Sequence, residues 1–359
     1  MKKFIYKLVV ILLLAPSLSF GANDTDTRQE KSKTIKKEFA VLKNATLSIR
    51  NKYGNISITT WDKNRVEITV VIKVKGNNLS AVEKKLRTIN VDFNASSDWV
   101  SAKTIFEKSS WSLWGNSNRE SYQIDYTVKM PKSNNIKLNN DYGSIMIDDI
   151  DGTADINCDY GKIIIDKLNH KTNNILLDYC SRSTINYMKS GTINVNYSKL
   201  TVDKSNRVKI NSDYSNIHIG DANTVTYNAD YGSITVEGVH NISGNSDYTN
   251  IRLGTISKNL NLEADYGSIK IKELAIGFDK AKISSEYVGI TIGTKTNNNF
   301  NFKIDLQYSG FSFDKSNVEL FKSIEKSSKK YYEGTYGRGK SNSTLTIKSQ
   351  YGGVRLKEL

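Results

Sequence analysis

The chain has 359 residues, 51 Lys and Arg against 37 Asp and Glu, and a formal net charge of +14. Such an excess favours anionic surfaces, but no nucleic-acid-binding motif accompanies it, and lysine that blunts sheet edges and keeps a long fold soluble accounts for it equally. Apart from one short run near the N-terminus, no hydrophobic segment is present.

Residues 1–22 read as a secretory signal: Lys2, Lys3 and Lys7, an apolar run over 8–15, then Ser17, Ser19 and Gly21. The run is too short to span a bilayer as a helix, and no cysteine follows to carry a lipid. The expectation is an exported protein, periplasmic or extracellular, with no transmembrane segment. Residues 23–38 are polar and read as a flexible leader. Residues 39–137 are strand-rich, over 46–49, 66–74 and 122–130, with a helix near 80–89. They read as N-terminal coils and a cap over the open sheet edge. Trp111 and Trp114, in a stretch rich in Ser, Gly and Asn, are either an exposed aromatic platform for binding or a plug for that end.

Residues 138–313 carry the dominant signal. A tyrosine after Asp, Asn, Glu or Gln is followed by a small residue and two aliphatics flanking one variable position. It heads the repeats at Tyr142, Tyr160, Tyr179, Tyr197, Tyr214, Tyr231, Tyr248, Tyr266, Tyr287 and Tyr308, with outlying copies at Tyr53 and Tyr351. Successive spacings are 18, 19, 18, 17, 17, 17, 18, 21 and 21 residues, so each repeat is one unit that buries its apolar side on its neighbours. Counting from the tyrosine, positions +3 and +5 are apolar (Ile145/Ile147, Ile234/Val236), as is position −4 (Ile156, Ile210, Leu262) apart from Gly244. Period two means strands with one buried face. The predicted fold is all-β, a single-stranded parallel β-helix, right-handed, with N- and C-terminal caps. Inward residues at −4 and −2 imply an inward tyrosine and a slip of the alternation at the small +1 residue. Tyr142, Tyr160, Tyr197, Tyr214, Tyr231, Tyr248, Tyr266, Tyr287 and Tyr308 are therefore expected to form a buried structural ladder. At Tyr179 the next inward candidates, Ile185 and Tyr187, come two positions late, which predicts a two-residue bulge near Arg182.

Over 314–343, Ser316-Asn317-Val318-Glu319 resembles a capping box opening a short helix through Lys330; 344–359 is the final rung. The −1 column (Asp141, Asp159, Asp178, Asp213, Asp230, Asp247, Asp265) and the −3 column (Asn139, Asn157, Asn194, Asn211, Asn228, Asn245) face outward. Stacked carboxylates could attract Ca²⁺, but the nonapeptide of calcium-binding β-rolls is absent. Asp caps on the turns and an amide ladder explain both columns, so no metal or cofactor is expected. His170, His218 and His240 are scattered, and no carboxylate pair stands apart as a glycosidase would need.

Lys52-Tyr53-Gly54-Asn55-Ile56-Ser57-Ile58 followed by Trp61-Asp62, the run Tyr126 to Pro131 leading into Asp141-Tyr142-Gly143, and the closing Gln350-Tyr351-Gly352-Gly353-Val354 carry a resemblance. Over roughly 38–359 the chain resembles the bacterial putative-adhesin family of exported β-solenoid proteins. That family supplies no catalytic residues to carry over. The resemblance implies a non-enzymatic cell-envelope protein working by adhesion or surface interaction, with anionic envelope glycans or another surface protein as partners and no nucleic acid. A structural envelope scaffold and a polysaccharide lyase or hydrolase are the alternatives.

Overall fold

The structure, a computed structural model, describes residues 28–107 and 120–359. The signal at 1–22 and both Trp111 and Trp114 lie outside these. The protein is all-β, with one α-helix among the described residues, and divides into two units, Met1–Leu168 and Asn169–Leu359. No helix among the described residues is long and apolar enough to cross a membrane.

In the first unit the coils stack in parallel with their columns aligned. Strand Asn135–Asp141 lies between Thr46–Lys52 and Ala154–Asp159, with Ile49 and Ile156 both opposite Leu138. Beyond the corner, Ile56 and Ile163 flank Ile145. The aliphatic columns are buried, as period two requires. The rung at Tyr53 is thus the neighbour of the one at Tyr142, and the described residues between them build the N-terminal end. Strand Arg65–Gly76 runs antiparallel to Ser121–Pro131, while Trp99–Phe106 lies parallel on Thr46–Lys52. Helix Leu79–Thr88 falls close to its expected place; Asn78 caps it by accepting the Ala81 N–H at 3.0 Å.

The leader expectation fails from Gln29 onward. Gln29–Ala40 is a strand antiparallel to Arg65–Gly76, with Ile35 opposite Val70 and Phe39 opposite Val66. Polar, charged composition suggested a flexible leader, but Lys33 and Lys37 are half-buried on the same side as Ile35 and Phe39, where their stems cover apolar surface. Lys33 Nζ donates to Asn90 Oδ1 at 2.9 Å, and burial lowers its pKa.

In the second unit the coils follow the same register, Ile175 on Ile193 on Ile210; Lys199–Leu274 is continuous extended structure through several rungs. The irregular rung lies where expected but is milder. Arg182 is exposed in the left-handed region at φ 54°, and Ser183 and Ile185 take the places opposite Leu200 and Val202. One residue is inserted rather than two, and Tyr187 becomes half-exposed instead of inward.

The gap in the −4 column has a packing cause. A Cβ on Gly244 would lie 2.3–2.5 Å from three ring atoms of Tyr227, the −4 residue of the rung before. The ring, 1% exposed, fills the space that an aliphatic residue would occupy at 244. Burial raises the Tyr227 hydroxyl well above the ordinary phenol pKa, and Ser246 offsets part of the shift.

Two expectations at the C-terminal end are corrected. The helix over 316–330 is absent. Asp314 instead caps a three-residue 3₁₀ turn, and Val318–Glu325 and Lys329–Tyr336 form an antiparallel hairpin. Lys329–Tyr336 adds to strand Phe300–Gln307, burying Tyr332 opposite Ile304 and Tyr336 opposite Phe300. Period-two side chains and an open edge to pair with outweigh a local capping signal. The last rung in sequence is also not the last in space. Strand Thr344–Gln350 lies between Lys280–Thr294 and Phe300–Gln307, parallel to both.

Candidate functional site

Left-handed backbone at the corner defines the most distinctive surface. All twelve motif tyrosines have φ between 47° and 63°, a conformation costing roughly 1–2 kcal/mol for a residue with a Cβ. The tyrosine itself therefore makes the slip in alternation, and its ring swings outward. The small +1 residue occupies the inside of the corner. At Gly232 and Gly267 a Cβ would lie 2.0 Å and 2.2 Å from a carbonyl oxygen of the preceding rung, so only glycine fits that backbone. Elsewhere a buried hydroxyl serves: Ser215 Oγ sits 3.0 Å from Val195 O and accepts the Ser198 N–H at 3.0 Å, and Thr249 Oγ1 donates to Asp247 O at 2.8 Å.

The expected tyrosine ladder exists, but it is not buried. In the first unit Tyr53, Tyr142 and Tyr160 stack at 5.0–5.1 Å with interplanar angles of 7–8°. In the second, Tyr179, Tyr197, Tyr214, Tyr231, Tyr248, Tyr266, Tyr287, Tyr351 and Tyr308 stack in that order at 4.6–5.1 Å, tilted by 1–6°. From Tyr142 onward every ring of both ladders is 42–56% exposed. Parity placed them inside because it assumed extended backbone at the tyrosine. A run of non-glycine residues in the left-handed region leaves no mark in hydrophobic periodicity, although the small residue after each tyrosine was a hint.

Because the rings cover one another's faces, each ladder offers a row of phenol edges and hydroxyls one rung apart, rather than flat platforms. The N-terminal ladder is closed at Tyr53, against which Tyr122 and Phe106 pack edge-on at 4.9 Å and 6.4 Å, with Lys85 Nζ 4.8 Å from the Tyr122 ring. Beside the second ladder runs the −1 carboxylate column. Partial desolvation and then the neighbouring Asp247 and Asp213 raise the Asp230 pKa, and the Asp247 backbone N–H pulls it partly back. The Tyr231, Tyr266 and Tyr351 hydroxyls are raised too, first by desolvation, then by adjacent tyrosines, then by acids including Asp230, Asp265 and Glu286. Despite the net positive charge, the charged groups acting on these three hydroxyls are acidic. Outward amides bond between rungs, as where Asn211 Nδ2 donates to Asn194 Oδ1 at 2.8 Å. His218, outward on the next strand, has Nδ1 3.9 Å from Glu237, while His170 is engaged in a local turn with Thr172. Among the described residues no three His, Cys, Asp or Glu side chains converge as a metal site would require.

No family model and no curated protein matches the chain. Among solved structures it is similar to a putative cell adhesion protein from Clostridium sporogenes, at 10% identity and a TM-score of 0.19 over 92% of this chain and 100% of that one. It is similar to a putative adhesin from Bacteroides fragilis, at 11% identity and 0.29 over 90% and 97%, and to one from Parabacteroides merdae, at 13% and 0.29 over 73% and 92%. At such scores the function has to be read from the chain's own geometry.

Proposed function

We propose that the protein is an exported, right-handed parallel β-helix of the cell envelope that works by binding rather than catalysis, as an adhesin or surface-interaction protein. The observation that supports this is the exposed tyrosine ladder of the second unit. Each ring costs roughly 1–2 kcal/mol in left-handed backbone and gains about 0.5–1.5 kcal/mol per stacked pair, so the arrangement barely breaks even as a stabilising device. Glycine would satisfy the corner at lower cost. What tyrosine adds is a straight row of hydroxyls beside columns of carboxylates and amides. Such a row suits an extended, hydrogen-bonding segment of another surface protein, with basic side chains to meet Asp213, Asp230 and Asp247. An anionic glycan would be repelled there and is the weaker reading.

The test compares wild type with Tyr214→Asn/Tyr231→Asn/Tyr248→Asn, since asparagine tolerates the left-handed conformation. Both are passed over immobilised extracellular-matrix proteins and envelope glycans. The reading expects a protein ligand whose affinity falls at least about tenfold in the triple variant at a matched unfolding midpoint. A protein ligand bound equally by both, or no protein ligand bound by wild type, refutes it.

A further inference from the structure

The second unit also carries a groove of about 510 Å³, lined by residues of successive rungs, among them Tyr187, Lys204, Asp221, Asn223, Val239 and His240. Its volume lies within the roughly 300–1,000 Å³ of small-molecule sites. None of these residues heads a repeat or belongs to the tyrosine ladder.

Three local features make the groove. The inserted residue at Arg182 shifts its rung, so that Tyr187 lies beside Lys204, its Cα partner on the next coil, instead of pointing inward. Gly238 leaves room where the neighbouring rungs carry Asp221 and Thr255, and a Cβ there would fall 2.5 Å from Asp221 Oδ1. The floor is apolar, with Ala222 and Val239 buried. Around it the charges are uncommitted. Among the described residues neither Lys204 nor Asp221 makes an ion pair, and Tyr187 stacks on no other ring. Elsewhere comparable side chains are taken up, as in Lys132 with Asp149 at 2.8 Å and Lys303 with Glu333 at 3.0 Å.

We infer that this groove is a saccharide-binding site for a neutral pyranose unit of a glycan. A pyranose has one apolar C–H face and a rim of hydroxyls that both donate and accept. Tyr187 supplies the aromatic surface for the apolar face. The Asp221 carboxylate only accepts, the Lys204 ammonium only donates, and the amides of Asn206 and Asn223 do both, which matches the rim. With an acid, Asp221, and a base, Lys204, both in the lining, a ligand of either net charge would gain at one and lose at the other. A neutral polyol gains at both.

Isothermal titration with an N-acetylglucosamine trisaccharide, cellotriose and a dipeptide with free termini tests this. One or both saccharides should bind wild type, and Tyr187→Ala should weaken that binding at least about tenfold. Gly238→Ala, which has only the end of the Asp221 side chain to displace, should weaken it comparably with an unchanged unfolding midpoint. The triple ladder variant should bind the saccharide like wild type, which separates this site from the ladder. Absence of saccharide binding, binding indifferent to Tyr187→Ala, or preference for the dipeptide would overturn the inference. Should Gly238→Ala fail to fold, Asp221→Asn serves in its place with the same expected loss.

Discussion

Tyr227 and Gly244 form a complementary pair, and exchanging both members tests whether the −4 column is packed as described. In Gly244→Ala the new Cβ meets Tyr227 Cε1, Cζ and Cδ1 at 2.3–2.5 Å, in a core where the ring cannot move aside. Overpacking costs about 1–3 kcal/mol, and three contacts this short put it near the upper end; against about 0.5–1 kcal/mol gained when alanine replaces glycine in a strand, the net loss is about 2 kcal/mol. Tyr227→Ile removes part of a fully buried ring and opens a cavity, also about 2 kcal/mol after allowing for release of a desolvated hydroxyl. Isoleucine with alanine fills nearly the volume of tyrosine with glycine, so the double variant should lie within about 1 kcal/mol of wild type, a coupling of about 3 kcal/mol. In thermal unfolding followed by circular dichroism, each single change should lower Tm by about 4–8 °C and the double by no more than about 3 °C. Additive losses in the double variant would refute the argument.

The ladder makes an inverted prediction at Tyr231. Glycine normally costs more than alanine in a strand, but here Tyr231→Gly should be less destabilising than Tyr231→Ala by about 1 kcal/mol, because both lose the stacked neighbours and only alanine keeps the left-handed strain; chemical denaturation of the two variants decides the sign. Gly232→Ala, whose Cβ would sit 2.0 Å from the Ser215 carbonyl oxygen at φ 151°, should cost more than about 3 kcal/mol and appear mainly as insoluble protein on expression. The Tyr231, Tyr266 and Tyr351 hydroxyls are raised above the ordinary phenol value of 10.0, and Tyr332 is pushed up to about 12. A raised acid stays neutral in the folded state after its unfolded counterpart has ionised, so this stability is fully present below about pH 10 and is lost as pH rises through the folded pKa values. Tm measured from pH 9 upward should therefore fall steeply beyond about pH 10, and a flat profile would contradict the assignment.

The rung columns were legible because burial at +3 and +5 and at −4 repeats with period two, and no other arrangement of Ile145/Ile147 or Ile234/Val236 buries both members of each pair. Two kinds of feature were not. The outward turn of the tyrosines depends on one backbone dihedral, which hydrophobic patterning does not encode. The hairpin over 318–336 depends on an unpaired edge at Phe300–Gln307, and a local capping signature cannot compete with a partner hundreds of atoms away. Tyr187 shows a compound failure. Its outward position follows from a one-residue insertion, and reading that insertion as two residues placed it in the core and hid the groove it lines.

The interleaved C-terminal rung sets an order of events. Coils up to Lys280–Thr294 can zip in the order in which the chain presents them. Phe300–Gln307 cannot take its final place on them, because the slot beneath it belongs to Thr344–Gln350. The terminal segment therefore works as a keystone, set after its neighbours on both sides have been made. A chain cut short before Thr344 would leave an unpaired parallel edge at Ile283 and strand the hairpin above it, so truncated products carry a ready mark for proteolysis while full-length ones close it.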